Sequence, residues 1–548
     1  MKKVSLFITT ILALTTHTYA TDAFTTDYNV AYKIQPAGET HVTQKLTITN
    51  QKEDVIATSY SIQIKNLNVY DVSASSGDKK IETNETYQDD LVTISANFKD
   101  YIIGQGKQNS LTINYKSKDI ATKIGEVWNI NIPQSDIDNS TLSYNVLLEI
   151  PTQFGPKIYI SPKPTVYKEN DDNFEIRFIK QDLQNTGITA SFGKHQYLNF
   201  KLKYQLENPH YLSAKYEIAL PSDIPGAQQV AYSSIDPKPK EIYKDADGNT
   251  IAIYSLHGKK KVEVTVVGSA TITSRQIIPT SGGNFKDIDR DLKKYVKAEK
   301  YWEVDSEIIK KLADELFDKE VSVSQNAQNI YDYVVKNLDY DFEIINEDFI
   351  DRKGAESALL QRGNWACMEF TDLFIALART MGIPARELNG FAFTSVTDSK
   401  KPMSISFRGG DLLHAWPEFY DPIFGWVQID PTWGNTSGVD YFTKLDTNHF
   451  VFVTKGIDSE YPLPAGAHRF ADSLDEKLVE VVFSQNVSDA DFEEKLEYKK
   501  KLNFNILEFL RGKRRYEIKN VGKVFSYNVE NTGIHLAPNE KLVMYLKR

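Results

Sequence analysis

The chain has 548 residues, of which 41% are hydrophobic and 25% are charged, so it is long enough for about three or four domains and typical of soluble globular proteins. Its formal net charge of −10 argues against a surface built for non-specific attraction to nucleic acid or to anionic membranes. We therefore expect no nucleic-acid partner.

The N-terminus has the pattern of a secretory signal peptide. Two lysines precede an apolar run that ends near Leu14, and small residues stand at Thr18 and Ala20, ahead of a cleavage site after Ala20. A membrane anchor is the alternative, but the run is too short to cross a bilayer, and no later stretch approaches about 18 apolar residues. We expect residues 1–20 to be removed, leaving a secreted or periplasmic protein without a membrane span.

The first half of the chain is predicted to be all-β. Apolar and polar residues alternate with a period of two in short segments such as Val42–Thr49 and Phe200–Tyr204. We predict a larger β-sandwich domain over residues 21–195 and a smaller one over residues 196–280. Asp247–Asn249 predicts a hairpin turn in the second domain, because the remaining ligands of a calcium loop are missing.

The period changes to that of amphipathic helices in residues 284–470. Apolar spacing predicts one helix around Ile308–Leu316, a second after Ser324 as N-cap, and a third from about Trp365 to Met381. Strands then return in three segments, Arg386–Phe393, Leu412–Tyr420 and Gly425–Ile429. This mixture predicts an α+β domain.

The tail, residues 471–548, combines a charged helical stretch with short β segments. These segments are Tyr516–Ile518, Val524–Val529 and Leu542–Tyr545, and they predict a small C-terminal β domain. Two basic runs, Lys499–Lys501 and Arg511–Arg515, are more typical of a solvated face than of a binding patch.

Cys367 is the one cysteine of the chain, so it cannot form an intramolecular disulfide. An exported protein that keeps a lone thiol needs a reason, although a free cysteine is often a small buried apolar residue. If Asn364 caps the third helix, Cys367 falls at the third helical position, where unpaired N–H groups favour a thiolate. The placement favours a nucleophile.

His414 is the candidate proton partner of this thiol. Of the histidines beyond the signal, three lie in the α+β domain: His414, His449 and His468. A turn through about residues 421–424 would place His414 opposite Asp430 on antiparallel strands, where the carboxylate could fix the tautomer of the ring. Each residue alone is more often structural, but their conjunction with Cys367 favours catalysis.

Several sequence blocks resemble the transglutaminase-like superfamily. They are Gly363–Phe370, Leu373–Arg379, Gly382–Arg386, His414–Trp416 and Gly425–Thr432. The resemblance covers about residues 325–470, and the smaller sandwich resembles the β domain that often precedes this core in bacterial and archaeal members.

The resemblance implies a papain-like core with a Cys-His-Asp triad. Cys367 would attack an amide carbonyl of a protein or peptide, His414 would take up and return the proton, and Asp430 would orient His414. The cell envelope is one candidate source of the substrate. The backbone N–H of Cys367 would be one donor to the oxyanion, and no cofactor is implied.

Four further residues are candidates for the same site. Gln361 lies six residues before Cys367, the spacing of an oxyanion glutamine in papain-like enzymes, while Trp365 lies near an aromatic position of some transglutaminases. Either could instead be a packing or solvated residue. Trp416 and Trp426 are expected to line the cleft or to belong to the core.

The predicted fold class is therefore a multidomain protein in which all-β sandwich domains precede an α+β papain-like core and a small C-terminal β domain. The function implied is thiol-dependent acyl transfer. If a lysine amine resolves the acyl-enzyme, the enzyme cross-links proteins, and if water resolves it, the enzyme is a cysteine peptidase or amidase. A catalytically inert, surface-binding scaffold is the alternative from another class.

Overall fold

The computed structural model of the protein describes residues 2–8, 23–65, 67–88, 91–184, 186–341, 351–361, 363–393, 405–407, 411–437, 440–473, 475–484, 487–502, 505–526, 529–531 and 536–547. The chain divides into two compact units, Met1–Lys194 and His195–Arg548. The division falls within one residue of the predicted limit between the two β regions.

The first unit is built almost wholly from strands. Its elements are β1 Lys2–Ile8, β2 Phe24–Ile34, β3 Thr40–Asn50, β4 Val55–Lys65, β5 Tyr70–Ser76, β6 Lys79–Ile81, β7 Thr83–Gln88, β8 Leu91–Ile103, β9 Gln108–Ser117, β10 Ala121–Ile124, β11 Val127–Ile132, β12 Thr141–Pro151, β13 Lys157–Ser161, β14 Val166–Glu169, β15 Asn173–Phe178, the short helix α1 Lys180–Leu183, and β16 Ile188–Phe192.

Three sheets enclose the core of this unit. Their strand orders are β1-β4-β8-β7, β10-β11-β16-β13 and β14-β15-β12-β2-β3-β9-β5-β6. The alternation read from the sequence appears directly in β2, where Tyr28, Val30 and Tyr32 are buried and the residues between them are not. The backbone of β1 runs parallel to β4. The predicted signal-peptide cleavage site after Ala20 lies outside the described residues.

The second unit contains the remaining elements. They are β17 Gln196–Glu207, β18 Ala214–Leu220, β19 Gln228–Asp236, β20 Glu241–Lys244, β21 Thr250–Leu256, β22 Lys261–Ile272, α2 Glu307–Leu316, α3 Val323–Asn337, β23 Asp339–Tyr340, α4 Ala355–Leu360, β24 Asn364–Trp365, α5 Cys367–Thr380, β25 Ala385–Ala392, β26 Ile405–Phe407, β27 Asp411–Asp421, β28 Gly425–Gln428, α6 Pro431–Ser437, β29 His449–Lys455, β30 Val479–Phe483, β31 Leu496–Lys500, α7 Ile506–Leu510, β32 Arg514–Asn520 and β33 Lys541–Leu546.

Two small sheets of this unit lie in its β region. One has the order β19-β22-β17-β30 and the other β18-β21-β20, in which β20 and β21 form the predicted hairpin around Gly248, whose φ is +95°. The separate C-terminal domain predicted over residues 471–548 starts too early, because its first strand, β30, pairs with β17. Strand β30 thus completes the sheet of the second β region.

The mixed part of the unit packs helices on a sheet with the order β26-β27-β25-β29, to which β28 is added through β27. Helix α5 is buried on nearly every side, and Phe370, Phe374 and Leu377 are fully inaccessible. A helix that is buried on all sides belongs in a core, and α5 buries the charged residues Glu369, Asp372 and Arg379 as well as its apolar ones. Helix α5 accordingly contacts β25 and β27 of the sheet as well as helices α2, α3 and α4.

The predicted starts of two helices and one predicted strand of the tail differ from the structure. Helix α3 is capped by Ser322 rather than Ser324, because the Ser322 hydroxyl accepts the N–H of Gln325 at 3.1 Å. Helix α5 begins at Cys367 after Ala366, not after Asn364, which lies in β24. Within the predicted strand Val524–Val529, the described residues contain only a single bridge, between Ser526 and Leu536.

The predicted fold class is confirmed: the chain is mostly β and multidomain, with an α+β core after the first β regions. In the part of the chain that the structure describes, no helix combines the length and the apolar composition needed to span a membrane.

Candidate active site

Four elements of the second unit bring the candidate residues together. Cys367 is the first residue of α5, His414 lies on β27, Asp430 lies between β28 and α6, and His449 is the first residue of β29. Strand β25 separates β27 from β29 and pairs Gly390 with His414. A side chain at Gly390 would collide with the carbonyl oxygen of Phe450, so glycine is what allows β29 to lie this close.

The thiol stands at the very start of its helix. Cys367 is the first helical residue after the N-cap Ala366, and the first turn of a helix leaves its N–H groups without intrahelical acceptors. The buried carboxylate of Glu369 fixes this turn by accepting the N–H of Ala366 at 3.2 Å and the N–H of Lys353 at 2.9 Å. The backbone entering α5 is thereby held in place next to the sulfur.

His414 and Asp430 are in direct contact, with 2.9 Å between His414 Nε2 and Asp430 Oδ2. The predicted strand register is nevertheless wrong by two residues, because Asp421 pairs with Gly425 and the loop therefore holds three residues. Asp430 lies beyond the last paired residue, Gln428. Its side chain reaches His414 from the start of α6 rather than from a position directly across the strands.

The two oxygens of Asp430 have separate tasks. Oδ1 accepts the N–H of Trp433 at 2.9 Å, which makes Asp430 the N-cap of the short helix α6. Oδ2 accepts from the Nε2 atoms of two histidines, His414 at 2.9 Å and His449 at 3.1 Å. One carboxylate thus caps a helix and contacts both imidazole rings.

His449 is the residue that sequence reasoning did not single out. Its Nδ1 lies 2.8 Å from Asp446 Oδ1 and its Nε2 lies 3.1 Å from Asp430 Oδ2. A ring that donates from both nitrogens to carboxylates is an imidazolium. Its position on the first residue of a strand that pairs with β25 depends on long-range pairing, so no local pattern reveals it.

Charges in this buried cluster reinforce one another. Burial lowers the pKa of His414, but the charge of Asp430, then that of Cys367, and hydrogen bonds outweigh it and raise the pKa to about 9. For His449 burial is likewise outweighed, by Asp446 and Asp430, and its pKa is raised to about 9. Burial raises the pKa of Asp430, yet the two histidines lower it to about 2.

The second nitrogen of His414, Nδ1, is not engaged by Asp430. The Cys367 side chain lies near enough to the His414 ring to contribute to the raised pKa of that ring. Because Nε2 is engaged by Asp430, Nδ1 is the nitrogen left to exchange a proton with the sulfur, and it has no hydrogen-bond partner among the described residues. The side chains of Cys367 and Ala415, the neighbour of His414, pack together in one small apolar cluster.

Water is largely excluded from these groups. Cys367 is 1% exposed, His414 3% and Asp430 0%. The indole rings of Trp416 and Trp433 flank the two histidines, with 5.8 Å between the ring centroids of His414 and Trp416. Hydrogen bonds between charged groups are stronger in such a low-dielectric site.

The remaining candidates divide between the site and its surroundings. Trp416 touches His414, and Trp365 is buried two residues before Cys367. Gln361 is exposed at the end of α4. Trp426 is half-buried, with the Arg386 guanidinium 3.7 Å from its ring centroid, and it lines a cavity together with Asp446 and His449.

His414, Asp430 and His449 also place their ligand atoms within 4.8 Å of one another, close enough to share a metal ion. In the protein, the Nε2 atoms of both histidines are hydrogen-bonded to Asp430 Oδ2. A metal would have to displace both imidazole N–H donors from the Asp430 carboxylate, so the arrangement is better described as a hydrogen-bonded relay.

The sequence model of the transglutaminase-like superfamily matches residues 310–431, which include Cys367, His414 and Asp430. Residues 310–431 form a transglutaminase-like core. The transglutaminase-like core therefore covers α5 and β27 and ends with the first residue of α6, whereas His449 lies outside the matched segment.

The chain is also similar to individual proteins. An uncharacterized protein of Haemophilus influenzae is 29% identical over 151 residues, which is 26% of this chain and 40% of the relative. The uncharacterized protein YebA of Bacillus subtilis is 24% identical over 224 residues, 40% of this chain and 30% of the relative. The matches thus span less than half the length of either relative.

Among solved structures, a protein of Cytophaga hutchinsonii that is named a candidate cysteine protease covers 53% of this chain and 98% of its own. Its sequence identity is 17% and its TM-score is 0.32, so the likeness carries no argument about activity.

Proposed function

We propose that the protein is an exported, thiol-dependent acyl-transfer enzyme that attacks amide bonds of proteins or peptides. The observation that carries the proposal is the placement of His414 between the Asp430 carboxylate, on Nε2, and the Cys367 thiol. A nucleophile at a helix start, a base beside it and a carboxylate that orients the base form the arrangement expected of covalent catalysis.

In this proposal the reaction has two halves. His414 Nδ1 already holds the proton that Cys367 gives up, since the pKa of this ring is raised to about 9. The sulfur bonds to the amide carbon, and the N–H of Cys367 donates to the oxygen that becomes negative. His414 then returns the proton to the departing amine, and the C–N bond breaks to leave a thioester. A second nucleophile, an amine or water, gives its proton to His414 and bonds to the thioester carbon, and the C–S bond breaks to release the acyl product and Cys367.

The nature of that second nucleophile decides between a cross-linking enzyme and a peptidase or amidase. Incubation with a glutamine-rich protein and a fluorescent primary amine should attach the fluorophore if an amine is the acceptor. If water is the acceptor, ammonia or peptide fragments should appear without incorporation. Either product should disappear in Cys367→Ala.

The oriented thiol can be tested without knowing the substrate. Because Cys367 is the one cysteine, each alkylation by iodoacetamide reports on this sulfur alone. The proposal requires labelling that persists well below about pH 8.5, where an ordinary thiol loses reactivity, and that is lost in His414→Ala. An ordinary thiol profile that is the same in both proteins would contradict it.

A matched pair of variants separates the two tasks of Asp430. Asp430→Asn keeps an oxygen to cap α6 but loses the charge, whereas Asp430→Ala loses both. We expect both variants to lose about a hundredfold to ten-thousandfold in turnover. Both variants lose the stability that the Asp430 charge gives, and Asp430→Ala should be less stable than Asp430→Asn by about 1 kcal/mol because it also lacks the cap.

One observation favours the alternative of an inert scaffold, namely that Cys367 is 1% exposed. An acyl-transfer enzyme with this structure must uncover the sulfur when substrate binds. The same alkylation experiment discriminates, since an inert buried thiol would label slowly at every pH, and His414→Ala would not change its rate.

A further inference from the structure

The C-terminal sheet carries a surface that the acyl-transfer site does not use. Strands β31 and β32 are antiparallel, and Lys500 pairs with Tyr516. The connection between them includes α7. We call residues 499–502 and 505–515 the basic tip. Because the connection folds back on itself, the basic run at its start and the basic run at its end, separate in the sequence, come to lie on adjacent strands.

Exposed apolar side chains are concentrated at the basic tip. Leu502 is 78% exposed, Leu507 67%, Leu510 74% and Phe509 49%. Large apolar side chains scattered singly on a surface are ordinary, but four within nine positions form a patch. A patch of this kind marks a surface that is covered by a partner or a membrane.

The charge of the basic tip is opposite to that of the protein. Residues 499–515 contain seven basic residues and one acid, Glu508, for a net charge of +6, while the whole chain carries −10. The rest of the chain therefore carries −16. Glu508 forms ion pairs with Arg511 at 2.9 Å and with Lys513 at 3.0 Å, so it neutralises only part of this charge.

The local conformation keeps the apolar groups outward. Asn505 caps α7 by accepting the N–H groups of Leu507 at 3.1 Å and Glu508 at 3.2 Å, and Gly512, with a φ of +76°, ends the turn. The Arg514 guanidinium lies 4.2 Å from the centroid of the Phe509 ring. The basic tip is thus an ordered structure, and its apolar residues are presented together with its cations.

We infer that the basic tip binds the surface of an anionic phospholipid bilayer. Leucine side chains beside lysines and arginines suit the boundary between headgroups and acyl chains, where the apolar groups insert and the cations meet phosphates. Single-stranded nucleic acid fits less well, because the three leucines offer no ring on which a base can stack and the Phe509 ring already carries the Arg514 guanidinium. The net charge of the chain, which argued against anionic membranes, does not describe this local surface.

Vesicle flotation of the full chain tests the inference, with vesicles of phosphatidylcholine alone and of equal parts phosphatidylcholine and phosphatidylglycerol. We expect binding to the anionic vesicles only, weakened as salt rises from about 0.1 M to about 1 M. The variant with Lys499→Gln, Lys500→Gln and Arg514→Gln should bind about 100-fold more weakly, at about fivefold per cation. Leu502→Ser with Leu507→Ser and Leu510→Ser should also lose binding.

Matched controls lie elsewhere in the same unit. Leu212→Ser, at a leucine that is 81% exposed, and Lys319→Gln, at an exposed lysine, should bind as the unaltered protein does. The inference is overturned if both vesicle types bind equally, if neither binds, if the tip variants match the controls, or if single-stranded DNA competes the protein off the vesicles. Because the surface excludes Cys367 and His414, alkylation of the thiol should be the same in every variant.

Discussion

His449 is the residue whose role the structure changes most. It holds Asp430 Oδ2 through Nε2 and Asp446 through Nδ1, so it fixes the carboxylate that in turn orients His414. It touches neither the thiol nor a reacting atom in the proposed reaction. Its part is to position Asp430 and to balance two buried negative charges.

Two isosteric substitutions distinguish these contacts. The amide N–H of Gln in His449→Gln can reproduce the donor at Nε2, whereas that of Asn in His449→Asn can reproduce the donor at Nδ1. We expect His449→Asn to lower kcat about tenfold to a hundredfold, as a charge-assisted hydrogen bond to Asp430 is lost, and His449→Gln to retain more activity. Equal losses in both variants, with equal melting temperatures, would contradict the positioning role.

The two buried imidazolium rings predict an alkaline limit. The pKa of His414 and of His449 is raised to about 9 from an ordinary value of about 6.5, because carboxylates outweigh the effect of burial. A raised pKa contributes stability that is complete below about pH 6.5 and lost as the pH rises through about 9.

Calorimetry between about pH 6.5 and pH 9 tests whether stability falls as the pH rises. We expect the melting temperature of the second unit to fall between about pH 6.5 and pH 9, and to fall less steeply in His449→Gln, which lacks one of the two rings. Proposed activity should fall over the same range because His414 must hold a proton to release the leaving amine. A melting temperature that rises with pH would contradict the charge assignment.

At the scale of elements, α5 is tied to the sheet by buried charges as well as by its apolar face. Arg352 bonds to Asp372 on α5 and, at 2.5 Å, to Glu387 on β25, and Asp372 also accepts the indole N–H of Trp302 at 2.9 Å. Both carboxylates are almost fully buried. Removing Arg352 would leave two buried acids without their cation.

We expect Arg352→Gln to lower the free energy of unfolding of this core by about 3–5 kcal/mol, because it leaves the two buried carboxylates without a neutralising cation. Lys300→Gln is the matched control, since Lys300 and Glu460 form an exposed ion pair, and exposed pairs contribute little to stability. Urea unfolding followed by tryptophan fluorescence measures both. Similar effects of the two variants would show that α5 does not depend on this network.

Local patterns in the sequence predicted most elements but not their pairing. The alternation in Val42–Thr49 lies within β3, and helical spacing placed α2, α3 and α5 within a few residues. The register that brings Asp430 to His414 depends on a loop of three residues, Pro422–Phe424, which the turn residues did not specify. His449 and Trp433 join the site only through long-range packing, which a single sequence does not expose.

At the scale of the whole molecule, the two units have separate apolar cores. One hydrophobic cluster contains residues from Ala23 to Phe192, and the clusters of the second unit begin at Tyr197. Each unit is long enough to bury its own core. The residues of the proposed triad, His449 and the basic tip all belong to the second unit.

We therefore expect residues 195–548 to fold without the first unit and to keep the pH profile of Cys367 alkylation. Two thermal transitions should be resolved in the full chain, and one of them should be reproduced by residues 195–548 alone. Loss of cooperative unfolding in the shorter protein, or an altered alkylation profile, would show that the first unit is needed to shape the site.

The pairing of β30 with β17 has a consequence for biosynthesis. The two strands are separated by the entire transglutaminase-like core, so the outer edge of β17 keeps open hydrogen-bonding groups until residue 483 has left the ribosome. Contacts between such distant segments form slowly. A nascent chain whose synthesis halts before β30 would present the unpaired edge of β17 to other polypeptides. We therefore expect a chaperone to be needed most while this sheet is incomplete.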